Sequence, residues 1–195
     1  MKAGPLATLA STRQVLSDSP RAWGGTNDFA ARVYSAWSPA GLSFAAVVAD
    51  DSLVPGHDAL DLFIDGREEW KHFYVEYQPG VLHVRLEPQA DGTVRVSTPP
   101  YSKTNFYASH KPEAQGVTAA AKITAHGYVL EWFVPWTKAN FDADGLEPNT
   151  IVRLGLLAHD VDAGRTGEVT LKWYAGRASD YDTSGWQSVA TRKGE

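Results

Sequence analysis

The sequence FAARVYSAWSPAGLSFAAVVA, residues 29–49, contains the pattern that decides the fold class. Residues 29–37 alternate between apolar and polar side chains, whereas residues 42–49 are apolar on both faces of a strand. The turn-forming sequence SPAG, residues 38–41, separates them. We therefore predict an antiparallel β-hairpin whose second strand is central in its sheet.

Similar short segments, separated by turn residues, continue along the chain. We predict further strands over residues 59–65, 73–78, 81–87, 93–97, 117–124, 128–134, 151–158, 169–174 and 186–191. About ten strands at this spacing favour an all-β fold, an antiparallel β-sandwich of the jelly-roll or immunoglobulin-like kind. Residues 99–115 are predicted to be a long surface loop, and residues 135–141 one helical turn that starts with a proline.

The composition narrows the class of protein. A chain of 195 residues that is 43% hydrophobic suits one domain, residues 1–195, in which residues 1–22 form a weakly patterned lead-in. A net charge of −5 argues against nucleic acid as a partner. No apolar run approaches the roughly 20 residues that span a bilayer, and no signal-peptide pattern opens the chain. Because the chain has no cysteine, disulfides and thiolate chemistry are excluded.

Aromatic residues are abundant, with seven Trp, eight Tyr and seven Phe. Trp70 lies in the polar sequence REEWKH, residues 67–72, which has no apolar neighbour that would draw the ring inward. An exposed ring among polar groups suits a sugar, whose C–H groups stack on aromatic faces. Strand patterns predict instead that four other tryptophans are core residues: Trp37, Trp132, Trp136 and Trp173.

A series of motifs over residues 23–191 resembles the family 9 carbohydrate-binding modules. In chain order these motifs are NDFAAR (27–32), AW (36–37), VADD (48–51), DALDLFID (58–65), GYVLEWFVPW (127–136), LGL (154–156) and HDVD (159–162). The resemblance implies a β-sandwich that binds sugar through aromatic side chains and contains structural calcium. It also implies an accessory module of a larger, secreted bacterial polysaccharide-processing protein, with an extracellular or periplasmic location.

The resemblance assigns a sugar-binding site to two loops. Trp70 and Tyr181 match the stacking aromatics, and Arg67, Asp180 and Asp182 are the polar residues beside them. The expected ligand is a plant or microbial polysaccharide or oligosaccharide.

Acidic residues near strand ends are candidate calcium ligands, because calcium prefers six to eight oxygen atoms. The candidates are Asp50, Asp51, Asp61, Asp65, Asp160 and Asp162. The alternative is that these are ordinary carboxylates of turns and strand ends.

Catalysis is not expected. The sequence contains no nucleophile elbow, phosphate-binding glycine loop or His-Glu-x-x-His pattern. Glu76, Glu87 and Glu131 are candidates for a pair of catalytic carboxylates, but an acidic β-domain contains such pairs by chance. Two alternatives to sugar binding remain: a haem-binding electron-transfer domain and a structural spacer without ligand. The usual Met–His haem ligation is disfavoured because the sole methionine is Met1.

Overall fold

The computed structural model describes residues 4–16, 22–68, 79–99, 113–141, 145–175 and 185–191. Within these ranges the chain forms eleven strands, one 3-10 turn (Thr12–Gln14) and one short helix, α1 (Lys138–Phe141). The strands are β1 (Ala7–Leu9), β2 (Phe29–Ser38), β3 (Gly41–Asp50), β4 (Ala59–Asp65), β5 (Val81–Pro88), β6 (Val94–Ser97), β7 (Thr118–Thr124), β8 (Gly127–Pro135), β9 (Ile151–Asp160), β10 (Val169–Trp173) and β11 (Gln187–Ala190).

Two antiparallel sheets form a sandwich. The first sheet has the order β1-β2-β3-β8-β7, so the predicted hairpin of β2 and β3 is present and β3 is central. The second sheet has the order β10-β9-β4-β5-β6, and β11 pairs with the half of β9 that β10 leaves free. The predicted fold class is confirmed.

The main core lies between the two sheets. Strand β4 contributes Leu60, Leu62 and Ile64, all buried, as the alternation predicts. From the first sheet, Phe44 and Trp132 stack with ring centroids 5.2 Å apart. Of the tryptophans predicted to be core residues, Trp132 and Trp136 are buried, and Trp37 and Trp173 are partly buried against the same cluster.

The outer face of the second sheet is also buried. Every residue of β4 is buried, including Asp61, Phe63 and Asp65, which point away from the main core. Phe63 forms a smaller apolar cluster there with Val81, Leu157 and Trp186. Polar groups on this face are therefore held away from solvent.

Some predictions differ from the structure or lie outside the residues that it describes. The predicted helical turn starts at Lys138, because Pro135 still belongs to strand β8. The weakly patterned lead-in contains the short strand β1, which pairs with β2. The predicted strand 73–78 and most of the loop 99–115 lie outside the described ranges. Within those ranges, no helix has the length and apolar character needed to cross a membrane.

Candidate functional site

A row of charged side chains crosses the outer face of the second sheet. Antiparallel pairing places Asp61 opposite Arg85 and Phe63 opposite His83. The neighbouring strand β9 brings His159 to the same face. Alternation along each strand is thus what gathers these groups, which are far apart in sequence.

Asp61 is the centre of this row. Its carboxylate lies 2.8 Å from His159 Nε2, 3.2 Å from His83 Nε2 and 3.3 Å from Arg85 Nη1. Burial alone would raise the pKa of Asp61, but the hydrogen bonds and positive charges of the two histidines hold that pKa well below its usual range. Asp61 is therefore an anion within a buried ion-pair network.

His159 bridges two carboxylates. Its Nε2 faces Asp61, and its Nδ1 lies 2.7 Å from Oε1 of Glu168. Burial by itself would lower the pKa of His159, but hydrogen bonds to Asp61 and Glu168 raise it to about 9. The imidazole is consequently a cation at neutral pH, and the hydroxyl of Thr170 donates to Glu168 beside it.

The row continues toward solvent through Glu87 and Arg95. Both carboxylate oxygens of Glu87 accept from the Arg95 guanidinium, at 2.5 and 2.7 Å, and the side chain of Arg95 is 62% exposed. Next to this row the ring of Phe63 stacks on His83 at 4.3 Å and packs against Trp186 at 5.5 Å. The face thus combines aromatic rings with charged groups that hydrogen-bond one another in a buried setting.

The predicted sugar-binding residues lie beside this face or outside the described ranges. Arg67 is buried, and its Nε and Nη2 bond the two oxygens of Asp65 at 2.8 and 2.7 Å. This bidentate pair fixes the chain where it leaves β4. The other predicted residues, Trp70, Asp180, Tyr181 and Asp182, lie outside the described ranges.

The sheet topology relates the two segments that contain these residues. Strands β4 and β10 both pair antiparallel with β9, so they run parallel to each other. Their carboxyl-terminal ends therefore lie at the same end of the second sheet. Trp70 follows the end of β4, and Tyr181 follows the end of β10.

A cluster of buried carboxylates lies where β3 and β9 end. Oxygens of Asp50, Asp160 and Asp162 all lie within 4.8 Å of one another, and the three residues are buried. Oδ1 of Asp50 accepts from Ser52 N at 2.7 Å, and no N–H group or hydroxyl of the described residues donates to its Oδ2. The carboxyl group of Asp58 hydrogen-bonds the Asp50 side chain. Carboxylates this close in a buried place need a cation or a proton between them.

Asp58, which is not one of the six candidate calcium ligands, borders this cluster. Its oxygens accept from Val54 N at 2.6 Å and from Val161 N at 2.8 Å, which ties β4 to the end of β9. Burial, reinforced by the charge of Asp50, raises the pKa of Asp58 to about 7. Its position at the head of the motif DALDLFID was the available signal.

A second group of carboxylates shares Asp162. Oxygens of Asp28, Asp51 and Asp162 lie within 4.8 Å of one another, and Arg165 contacts two of these residues. Asp61 and Asp65 belong to neither group, because their oxygens face the histidines and Arg67. The structure therefore brings together four of the six predicted calcium ligands.

Comparison with solved structures shows which known fold the chain has. No family model matches the sequence, and no curated protein matches it. The chain is similar to a family 9 carbohydrate-binding module from Caldicellulosiruptor kristjanssonii, solved in complex with cellotriose. That likeness has 13% identity and a TM-score of 0.67, and it covers 93% of this chain and 83% of that one.

A second structure, a family 9 carbohydrate-binding module from the same organism in complex with glucose, is 16% identical. Its TM-score is 0.61, and the likeness covers 94% of this chain and 86% of that chain. At these identities the likeness concerns the arrangement of strands rather than individual side chains. The protein has the fold of the family 9 carbohydrate-binding modules.

Proposed function

We propose that this protein binds a carbohydrate and catalyses no reaction. The observation that carries the proposal is the fold, which is shared over more than nine tenths of the chain with modules solved in complex with cellotriose and glucose. The expected ligand class is a plant or microbial polysaccharide or oligosaccharide.

The proposed binding site lies at the end of the second sheet where β4 and β10 terminate. Trp70 and Tyr181 stack on the sugar rings, and Asp180 and Asp182 accept hydrogen bonds from sugar hydroxyls. The common direction of β4 and β10 supports this pairing, because it starts both segments from the same end. Arg67, held by Asp65, anchors the first segment beside the ligand.

The positions of the glutamates support the absence of catalysis. Glu87 lies on β5 of the second sheet and is engaged by Arg95, whereas Glu131 lies exposed on β8 of the first sheet. Glycoside hydrolysis needs two carboxyl groups that flank one bond. Haem ligation is likewise not favoured at His159, since both its ring nitrogens face carboxylates.

We also propose one structural calcium ion, bound by Asp50, Asp160 and Asp162. Support comes from their burial, their mutual approach within 4.8 Å and the Asp50 oxygen to which no N–H group or hydroxyl of the described residues donates. Hard carboxylate oxygens are the ligands that calcium prefers. The ion would join the end of β3 to the end of β9, and so connect the two sheets.

The proposed setting is an accessory module of a secreted polysaccharide-processing protein, in an extracellular or periplasmic location. A binding module of this kind holds its parent enzyme on an insoluble polymer. The modest net charge of −5 suits a neutral glycan, which offers hydroxyls rather than charges.

Affinity measurements with a Trp70→Ala variant test the sugar site. We expect the variant to lose at least ~10-fold in affinity for cello-oligosaccharides, with little change in melting temperature, because an exposed stacking ring adds binding energy but little stability. Isothermal titration calorimetry and thermal denaturation of the same samples give both values.

Tyr34→Ala is the matched control, because Tyr34 is a half-buried aromatic residue on the first sheet, away from the proposed site. Its affinity should equal that of the wild type. Unchanged affinity of Trp70→Ala, with a loss of roughly 3–5 kcal/mol in stability, would show instead that Trp70 is a core residue.

A further inference from the structure

The acidic cluster contains two groups of carboxylates, and the guanidinium of Arg165 contacts one of these groups at two of its residues. The first group is Asp50, Asp160 and Asp162, and the second is Asp28, Asp51 and Asp162. Each group brings three oxygens within 4.8 Å of one another, a spacing at which a metal ion could be shared. Geometry alone would thus allow two ions that share Asp162.

Arg165 lies at the second group. Its Nη1 is 2.9 Å from Asp162 Oδ2 and 3.3 Å from Asp28 Oδ1. The backbone supports this position, because Arg165 N donates to Asp162 O at 3.2 Å, which closes a turn after β9. The guanidinium therefore bridges two carboxylates of the second group.

The other contacts of this group fix the carboxylates around the guanidinium. Asp28 is buried, and its Oδ2 accepts from Gly24 N at 2.9 Å, so that its Oδ1 is directed toward Arg165. Partial desolvation and the negative charge of Asp162 raise the pKa of Asp51 above its ordinary value, and the charge of Arg165 opposes that shift. The guanidinium thus acts electrostatically on all three carboxylates.

The two groups differ in burial and in their contact with Arg165. All three residues of the first group are buried, and Arg165 contacts only its shared member, Asp162. In the second group Asp51 is exposed, and the Arg165 side chain, which is 57% exposed, bridges Asp28 and Asp162. A guanidinium carries a permanent positive charge and is weakly hydrated, so it can occupy a carboxylate site without the dehydration cost of a small divalent ion.

We infer that Arg165 is a built-in cation that takes the place of a second metal ion, so that the acidic cluster binds one calcium ion instead of two. This inference rests on the proposed calcium site at Asp50, Asp160 and Asp162. Arg165 then determines how many calcium ions the cluster binds. Asp162, which both groups share, contacts the bound ion and the guanidinium.

Calcium titration of metal-free protein by isothermal titration calorimetry tests the inference. The wild type should bind one equivalent. Arg165→Gln should bind two, the second more weakly, because its site is more exposed to solvent. Arg165→Lys, which keeps the charge, should bind one equivalent as the wild type does.

A second readout separates this role from ordinary surface charge. In chelator, Arg165→Gln should melt at a lower temperature than the wild type, because Asp28, Asp51 and Asp162 then repel one another. Excess calcium should remove most of that difference. Arg32→Gln, which removes an exposed arginine from β2, has the same change in net charge and should alter neither the stoichiometry nor the response to calcium.

The outcomes distinguish this inference from the proposal on which it rests. One equivalent in both the wild type and Arg165→Gln, or two in the wild type, overturns the role of Arg165 and leaves the calcium site in place. No binding by the wild type overturns the calcium site, and the inference with it.

Discussion

Asp61 has a different role in the structure from the one that the sequence predicts. In the sequence it is one of six carboxylates suited to calcium. In the structure its carboxylate faces His83, His159 and Arg85 on a buried face. Buried charges persist when partners and hydrogen bonds replace water, and here two histidines and an arginine surround the carboxylate.

The hydrogen bonds of His159 to two carboxylates predict how the stability of the fold depends on pH. The pKa of His159 is about 9 in the folded protein, above the ordinary value of 6.5 that applies when the chain unfolds. Its contribution to stability is therefore complete below pH 6.5 and is lost as the pH rises toward 9. This difference in the pKa of His159 corresponds to about 3 kcal/mol in the free energy of unfolding.

Urea denaturation between pH 6 and 9.5 measures this effect. The free energy of unfolding of the wild type should fall across that window relative to His159→Gln, which lacks the titrating group. His126→Gln, at an exposed position in the turn between β7 and β8, should follow the wild-type curve. Parallel curves for the wild type and His159→Gln would contradict the assigned role.

Among the elements, β4 is the strand on which both layers of the fold depend. One of its faces supplies the main core, and the other supplies Asp61, Phe63 and Asp65 to the outer network. Its neighbours β5 and β9 pair with it over nearly its whole length. Such a strand has no solvated side, so a polar substitution on either face should destabilise the fold.

The turn between β7 and β8 depends on a glycine. Gly127 has φ of 116°, and a Cβ there would meet Val48 O of β3. Gly127→Ala should therefore lower the free energy of unfolding by at least about 2 kcal/mol, through backbone strain and the contact with β3. Chemical denaturation measures the change.

Gly56→Ala is the matched control for that substitution. Gly56 also has a positive φ, 80°, but a Cβ there would meet nothing within 4 Å. Its cost should be limited to backbone strain, about 1 kcal/mol. Equal losses in the free energy of unfolding at the two positions would show that the contact with β3 does not contribute to the cost of Gly127→Ala.

At the scale of the whole molecule, the proposed calcium ion joins the two sheets at one end of the sandwich. Its ligands come from the end of β3 in the first sheet and the end of β9 in the second. An ion that binds only the folded chain shifts the unfolding equilibrium by mass action. At 100 times its dissociation constant the gain is about 2.7 kcal/mol.

Thermal denaturation in calcium and in chelator checks this gain. The melting temperature should rise by roughly 5–10 °C with calcium, as expected for a domain of this size. Asp50→Asn should remove the response, whereas Glu131→Gln, an exposed position with the same change in charge, should keep it. Identical transitions of the wild type in calcium and in chelator would exclude a structural ion.

The sequence by itself determined the strands and their inner faces. The hairpin of β2 and β3, the inward row of Leu60, Leu62 and Ile64, and the central position of β3 all follow from a period of two residues and from turn chemistry. These are local properties, because each depends on residues that lie within one strand or one turn. The order of the motifs also indicated the family whose fold the chain has.

The charge of His159 shows where local reasoning stops. In the sequence the acidic neighbour of His159 is Asp160, which follows it directly. In the structure the partners that raise the pKa of His159 are instead Asp61 and Glu168. Asp160 follows His159 directly and therefore points to the opposite face of β9.

Only the tertiary structure decided which carboxylates meet. His159 and Asp61 are 98 residues apart, and Val161 and Asp58 are 103 apart, so their contacts depend on how β4 and β9 pair. A shift of one residue in that register would turn Asp61 to the main core and disperse the network. Register is set by the packing of the whole sandwich, and for this reason the metal cluster, the Arg165 bridge and the Asp61 network could not be derived from spacing alone.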